Sequence, residues 1–66
     1  MSIGAAEVLC TLRKETGESQ AQVAKAVGVT TSAYSMYERG ERIPRDGVKR
    51  RIADHFHVQV QEIFFR

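Results

Sequence analysis

The sequence contains no long apolar run, and this absence excludes one class of protein at the outset. A membrane-spanning helix needs about 20 consecutive apolar residues, and no segment of the 66 residues approaches that length. The first four residues also lack the basic stretch and apolar core of a secretory signal. Cys10 is the only cysteine, so no disulfide can form within the chain. We therefore expect a protein of the reducing cytoplasm that does not enter a membrane.

Residue clusters that carry catalysis or bind metals are also missing. His55 and His57 are two residues apart, which on a helix points them in different directions. No cysteine or carboxylate cluster completes a metal site. There is no credible Ser-His-Asp arrangement and no glycine-rich phosphate loop, and Cys10 is better explained as a small packed residue than as a nucleophile. The sequence therefore predicts neither an enzyme nor a metal or cofactor site.

Apolar residues recur at helical spacing through the chain, and no segment shows the sustained alternation of a strand. The predicted helices cover about Gly4 to Thr16, Ser19 to Val27, Thr31 to Arg39, Arg45 or Asp46 to Phe56, and Val60 to Phe64 or Phe65. A capping box of Ser19 and Gln22 marks the start of the second helix, and Thr30 is the expected N-cap of the third. The length suits one domain, so the sequence predicts a single all-α domain over residues 1–66.

The segment from Gln20 to Glu38 joins the second and third helices at one glycine. Gly28 can adopt a left-handed backbone conformation without steric cost, which turns the chain sharply. Ala24 lies four residues earlier, where a large side chain would hold the two helices apart. Bulky apolar residues on both sides of the turn have spacings that let both helices close on one core: Val23, Val27, Val29, Tyr34 and Tyr37. This layout is typical of a helix-turn-helix, whose second helix can enter a groove of DNA.

Positive charge is concentrated just after this segment. The net charge of the chain is only +2, but residues 39–51 hold six basic and two acidic side chains, which makes +4 in that stretch. Such a segment suits a polyanionic partner, although a solvated charged helix face would look the same. A helix cannot turn Lys49, Arg50 and Arg51 toward one partner, so at least one of them should face away from it.

Together these residues resemble the Cro/lambda-repressor-like helix-turn-helix family, also called the XRE family, from Leu9 to Phe64. The matching motifs are Leu12-Arg13, Gly17 and Ser19-Gln20, then Ala24 and Gly28, then Tyr37-Glu38-Arg39-Gly40 with Pro44, and finally the segment 53–58. The resemblance implies a five-helix, lambda-repressor-like DNA-binding domain. It also implies an ion pair between Arg13 and Glu38 that ties the first helix to the end of the third; two independent surface charges are the alternative.

Two sets of residues are predicted to contact DNA. Bases are read by side chains in the N-terminal half of the third helix that face away from the core. These are Thr31, Ser32, Ser35 and Met36, with a solvated position as an equal alternative for Ser35. Many relatives carry bidentate readers at these places and this chain has none, so we expect modest direct readout with more weight on DNA shape, water bridges and phosphates. The predicted phosphate contacts are Gln20, whose role the resemblance implies, and Thr30, Arg39, Arg42 and Arg45.

The sequence therefore predicts a sequence-specific, double-stranded DNA-binding regulator of transcription, and family analogy makes it a repressor. The alternative is a helical protein–protein interaction module of the antitoxin or adaptor type, with weak or no DNA binding, which the plain recognition face favours. At the chain's end, one of Phe64 and Phe65 should pack inward while the other forms the interface of a symmetric homodimer, with a frayed end as the alternative. Residues 1–66 would make up a whole small regulator.

Overall fold

The computed structural model describes residues 4–64, which form five α-helices and no strand. The helices are α1 (Ala5–Thr16), α2 (Gln20–Val27), α3 (Thr31–Glu38), α4 (Asp46–His55) and α5 (Val60–Phe64). The predicted all-α, five-helix architecture is confirmed, and the predicted boundaries agree to within about one residue, the usual uncertainty of helix ends. Within the described range, no helix has the length and apolar character needed to cross a membrane.

The helices of the central segment begin and end where the sequence supplies caps. The Ser19 hydroxyl accepts from the Gln22 N–H at 3.1 Å, and the Gln22 side chain accepts from the Ser19 N–H at 2.7 Å, so the predicted capping box is present. Thr30 Oγ1 accepts from the N–H of Ala33 at 3.0 Å and caps α3. Gly28 has a φ of 78°, which only glycine adopts without strain, and this turn places α3 across α2.

The core lies where the five helices meet. α3 packs on α1 and α2, α4 packs on α2 and α5, and α5 closes against α1. The buried hydrophobic residues are Leu9, Val23, Ala24, Val27, Tyr34, Tyr37, Ile52, Ala53, Phe56 and Ile63. Ala24 is buried in α2, which packs on α3 and α4, so a larger residue there would not fit between the packed helices. Val29, predicted to be a core residue, is only half-buried and packs at the core's edge, because it lies in the turn rather than on a helix.

The two tyrosines of α3 belong to this core. Tyr34 is fully buried and Tyr37 is 6% exposed, and their rings meet edge to face with centroids 6.3 Å apart. Burial raises the pKa of the Tyr34 phenol, and the neighbouring Glu38 carboxylate raises it further. Rings held in this way cannot stack on nucleotide bases, so α3 offers its polar side chains, and not its aromatic ones, to the exterior.

One described residue other than glycine has a left-handed backbone. His57, just after α4, has a φ of 58°, and its N–H donates to Asp54 O at 3.2 Å in the turn that ends the helix. This conformation costs a residue with a side chain about 1–2 kcal/mol. Glycine avoids that cost but loses more conformational entropy on folding, which offsets part of the gain. We expect His57→Gly to raise the free energy of unfolding by about 0.5–1 kcal/mol in urea denaturation. His57→Ala should give no gain, and a glycine variant less stable than the parent would contradict this explanation.

Candidate nucleic-acid interface

The first half of α3 presents a polar face to solvent. Thr31 and Ser32 are exposed, and Ser35 and Met36 are half-buried on the same side of the helix. This side is opposite to the buried tyrosines, so all four residues predicted to read bases share one surface of the protein. The surface starts directly at the N-cap of α3, where helix-turn-helix proteins contact base edges.

One of the four has a partner within the protein. The Ser35 hydroxyl accepts from Arg39 Nη1 at 2.7 Å, and Arg39 Nη2 donates to Glu41 Oε1 at 3.0 Å. The Arg39 and Glu41 side chains are 52% and 57% exposed, so solvent screens their ion pair and it contributes little to stability. Arg39 can therefore exchange Glu41 for another anion at little cost, and the Ser35 hydroxyl orients its guanidinium.

Gln20, predicted to contact a phosphate, lies in the first turn of α2 and is half-buried. Its Nε2 donates to Glu38 Oε1 at 3.0 Å, a bond that sequence reasoning did not anticipate. The amide nitrogen carries a second N–H, so this bond orients the side chain without using all its donors. Gln20 thus connects α2 to the end of α3 while remaining at the positive end of the α2 dipole, where anions bind.

Arg13 and Glu38 form a bidentate ion pair beneath this surface, as the resemblance implied. Arg13 Nε lies 2.7 Å from Glu38 Oε2, and Nη2 lies 3.0 Å from Oε1. Arg13 Nη1 also donates to the carbonyl of Glu18 at 3.0 Å. Only 16% of the Arg13 side chain and 4% of the Glu38 side chain are exposed. The pair and the Gln20 amide together fix α1, α2 and the end of α3 relative to one another.

Two acidic groups in this region have pKa values below their ordinary range. Burial opposes ionisation of Glu38, but the hydrogen bonds from Arg13 and Gln20 outweigh it and lower the pKa of its carboxyl. The pKa of Glu18 is lowered first by the hydrogen bond with His55, whose Nε2 lies 2.9 Å from Glu18 Oε1. Both carboxylates are therefore more acidic in the folded protein than in the unfolded chain.

Stability should consequently decrease in acid. A lowered folded-state pKa gives stability that is complete above the unfolded pKa, about 4.3 for glutamate, and is lost as the pH falls through the folded value. We expect the contribution of these two groups to be intact at about pH 5 and above and to decrease progressively as the pH falls below about 4. Thermal unfolding followed by circular dichroism across this range measures the effect. Glu38→Gln should have a smaller acid loss than the parent protein, and a melting temperature unchanged between about pH 5 and pH 3 would contradict the assignment.

The loop between α3 and α4 carries two exposed arginines, Arg42 and Arg45. Pro44 between them is buried and anchors the loop, whereas the adjacent Ile43 is 78% exposed. Neither guanidinium forms an ion pair or hydrogen bond with another side chain among residues 4–64. Both arginines therefore have all their N–H donors available to an external anion. They lie in the loop that follows α3.

A family comparison agrees with this geometry. The model of a family described as a helix-turn-helix domain matches residues 5–63. The chain belongs to this helix-turn-helix family. The resemblance to Cro/lambda-repressor-like regulators is confirmed, and the family is one of transcription regulators, not of enzymes.

Two individual proteins are similar to this helix-turn-helix chain. It is 33% identical over 57 residues to the cryptic phage CTXphi transcriptional repressor RstR of Vibrio cholerae serotype O1 (strain ATCC 39315 / El Tor Inaba N16961), a match that covers 86% of this chain and 51% of that protein. The chain thus spans about half the length of this curated relative. A crystal structure of the P22 c2 repressor protein in complex with synthetic operator 9T, in the presence of Tl+, matches with a TM-score of 0.93 at 24% identity over 96% of both chains. This likeness confirms the lambda-repressor-like fold.

The basic residues of α4 face different partners in this helix-turn-helix domain. Lys49 Nζ lies 5.4 Å from the centre of the Phe64 ring and 4.0 Å from Asp46 Oδ1. Arg51 Nε donates to the carbonyl of Val27 at 2.8 Å. The helix therefore directs Lys49 and Arg51 to different neighbours, and two of the predicted phosphate contacts, Arg42 and Arg45, lie in the loop before it.

Of the two residues predicted to form the dimer contact, one lies within the described part of the chain. Phe64 is half-buried and packs against the core, with the Lys49 ammonium over its ring, while Phe65 lies outside the described residues. Among residues 4–64, the large hydrophobic side chain that is most exposed is Ile43. Sequence reasoning placed Ile43 in a loop but did not single it out; its position between Arg42 and Pro44, away from any apolar stripe, was the available signal.

The described residues contain no cluster of histidine, cysteine or acidic side chains that could hold a metal ion.

Proposed function

We propose that this protein binds specific sites in double-stranded DNA through α3 and represses transcription by occupying an operator. The observation that carries the proposal is the exposed polar face at the start of α3, with the available guanidinium groups of Arg42 and Arg45 in the loop that follows it. The relative from Vibrio cholerae is named a transcriptional repressor, and the structural neighbour is described as a repressor in complex with an operator. Both support repression as the role of this domain.

Sequence would be read by short side chains. Inserted in the major groove, Thr31 and Ser32 place hydroxyls next to base edges, and the Thr31 methyl suits a thymine methyl. Met36, one turn further along the same face, adds a second apolar contact for thymine. Ser35 contributes by holding Arg39 at 2.7 Å. Because these contacts are weaker than bidentate ones, the shape of the DNA carries a larger share of the specificity.

Phosphate contacts would fix the register of α3 on the duplex. Gln20 and Thr30 lie at the first turns of α2 and α3, where helix dipoles attract anions. Arg39, Arg42 and Arg45 follow α3 and supply the positive charge. On binding, Arg39 would replace Glu41 by a phosphate, and Arg42 and Arg45 would bind without giving up any partner.

Selection of bound fragments from random duplex DNA tests this function. We expect one preferred site to be enriched. Thr31→Ala and Met36→Ala should each change which bases are preferred at one or two positions, because they remove base contacts. Arg42→Ala should weaken binding to all sequences about equally. No enrichment with the parent protein, or selection results that are the same in all three variants, would refute the proposal.

We further propose that the protein acts as a symmetric homodimer on two half-sites about 10 base pairs apart, with Phe64 and Phe65 at the interface. A palindromic selected site would support this assembly. Sedimentation at micromolar concentration should give the mass of two chains, and the mass of one chain, alone and on DNA, would contradict it. The proposed DNA binding and the presence of Cys10 as the only cysteine both support a cytoplasmic location as part of this proposal.

A protein–protein interaction module remains the second candidate, and one observation favours it. Ile43 is 78% exposed beside the reading helix, where an apolar residue suits a protein partner better than a phosphate. Salt dependence separates the two functions, because a DNA-binding protein loses affinity steeply as salt increases.

A further inference from the structure

The guanidinium of Arg51 lies against the turn of the helix-turn-helix, although Arg51 belongs to α4. Its Nε donates to the carbonyl oxygen of Val27 at 2.8 Å. Val27 is the last residue of α2, so its carbonyl has no partner within that helix. The N–H of Gly28 is directed to Ala24 O and Lys25 O instead. Arg51 thus supplies the hydrogen bond that the end of α2 lacks, and its positive charge suits the negative end of the α2 dipole.

Two glycines leave space for this side chain. A Cβ on Gly28 would lie 3.7 Å from Arg51 Nε and 3.9 Å from Nη2, and a Cβ on Gly47 would lie 3.8 Å from Nη1. The guanidinium therefore extends over backbone at two places, the turn after α2 and the first turn of α4. Arg51 is exposed overall, but its guanidinium lies next to both segments.

This contact connects α4 to the start of the reading helix. Thr30, the N-cap of α3, follows Val27 by three residues. α3 packs on α1 and α2, whereas α4 packs on α2 and α5, so the Arg51 bond links α4 to the turn from which α3 begins. Arg42 and Arg45 lie in the loop that leads into α4. The Arg51 bond therefore also fixes the position of this loop relative to the start of α3.

We propose that Arg51 is a positioning residue for DNA recognition. By holding the carbonyl of Val27, it fixes the turn against α4 and so sets the direction of α3 relative to Arg42 and Arg45, without itself contacting a phosphate. This inference rests on the proposed DNA-binding function. It gives Arg51 a role that the charge pattern of Lys49, Arg50 and Arg51 did not reveal.

Three variants separate positioning from charge. Arg51→Met removes both the hydrogen bond and the charge. Arg51→Gln removes the charge but places an amide N–H at the same distance along the side chain as Arg Nε, so the bond to Val27 can be kept. Arg50→Met removes the same charge from the adjacent position, which is exposed like Arg51 but has no bond to Val27, and serves as the matched control. Affinity for the selected duplex, affinity for a random-sequence duplex and the salt dependence of both are measured for each variant.

Arg51→Met is expected to bind the selected duplex about tenfold more weakly, comparable to one mismatched base pair. Its affinity for random duplex and its salt slope should stay close to those of the parent. Arg51→Gln and Arg50→Met should remain within about twofold of the parent on the selected duplex, a small fraction of the effect of one mismatch. If Arg51→Gln is as weak as Arg51→Met and both lose about 0.9 per protomer from the salt slope, Arg51 contacts a phosphate and the inference is wrong. Parent-like binding by Arg51→Met would also overturn it.

A measurement without DNA keeps this inference distinct from the proposed function. Amide hydrogen exchange at residues 28–31 should be faster in Arg51→Met than in the parent, and unchanged in Arg51→Gln and Arg50→Met. If the exchange follows this pattern and the parent has no preferred DNA site, the proposed function fails while the link between α4 and the turn stands. Equal exchange in all four proteins would refute the link itself. If Arg51→Met does not fold, Arg51→Ala, which also removes both the hydrogen bond and the charge, takes its place with the same expected results and the same contradicting ones.

Discussion

Arg13→Met is expected to lower the free energy of unfolding by about 3 kcal/mol, because it leaves an almost fully buried carboxylate without its cation. The Glu38 side chain is 4% exposed and would keep the hydrogen bond from the Gln20 amide but no cation. A domain of this size has a total stability of only about 5–15 kcal/mol, so the loss is a large part of it. Urea denaturation followed by circular dichroism measures the change.

A double-mutant cycle shows that the loss comes from the pair. Arg13→Met/Glu38→Met removes both charges and should be less destabilised than the sum of the two single variants, with a coupling of at least about 1.5 kcal/mol. The exposed pair of Arg39 and Glu41 is the matched control, and Arg39→Met should change stability little. A loss below about 0.5 kcal/mol in Arg13→Met would place the pair among ordinary surface ion pairs, and the pair would not be what fixes α1 relative to the end of α3.

The affinity for the selected duplex should decrease about 2,000-fold between 50 and 200 mM salt if the protein binds as a dimer. The three proposed cationic phosphate contacts are Arg39, Arg42 and Arg45. At about 0.9 per neutralised phosphate, they give a slope of log affinity against log salt near −2.7 for one protomer and about −5.4 for a dimer. Binding as a monomer would give a loss of only about 40-fold over the same range. Fluorescence anisotropy of a labelled duplex measures the slope.

Arg42→Ala tests the assignment within this slope. It should reduce the slope by about 0.9 for each protomer and leave the preferred sequence unchanged. Arg50→Ala removes an exposed positive charge that is not assigned to a phosphate, and its slope should stay near that of the parent. A parent slope near zero would favour the protein–protein interaction module. A slope that is steep but unchanged in Arg42→Ala would instead place the phosphate contacts elsewhere on the protein.

Features that depend on local sequence could be predicted before the structure. The capping box of Ser19 and Gln22 and the N-cap Thr30 are set by side chains within three residues of the groups they bind, so residue type and spacing suffice. The turn at Gly28 follows from glycine's access to positive φ. The helical spacing of apolar residues then places the core and, by exclusion, the outward face of α3.

Contacts that depend on how helices pack could not be predicted in this way. The bond from Gln20 to Glu38 and the bond from Arg51 to Val27 join residues 18 and 24 positions apart. Each depends on the choice of one side-chain rotamer among several, and nothing in the local sequence selects it. The Arg13 and Glu38 pair, 25 positions apart, was expected only because the family resemblance implied it. The charge pattern alone showed where the basic residues are in the sequence. It did not show which of them form contacts between helices.

The most direct test of DNA reading by α3 is a nuclear magnetic resonance measurement on the protein bound to its selected duplex. Intermolecular nuclear Overhauser effects report which protein methyl groups lie next to DNA protons. We expect such effects from the methyl groups of Thr31 and Met36 to protons of the bases in the major groove. Binding without any contact from these two methyl groups, with contacts from α4 or α5 in their place, would contradict the central claim that the exposed face of α3 reads the DNA.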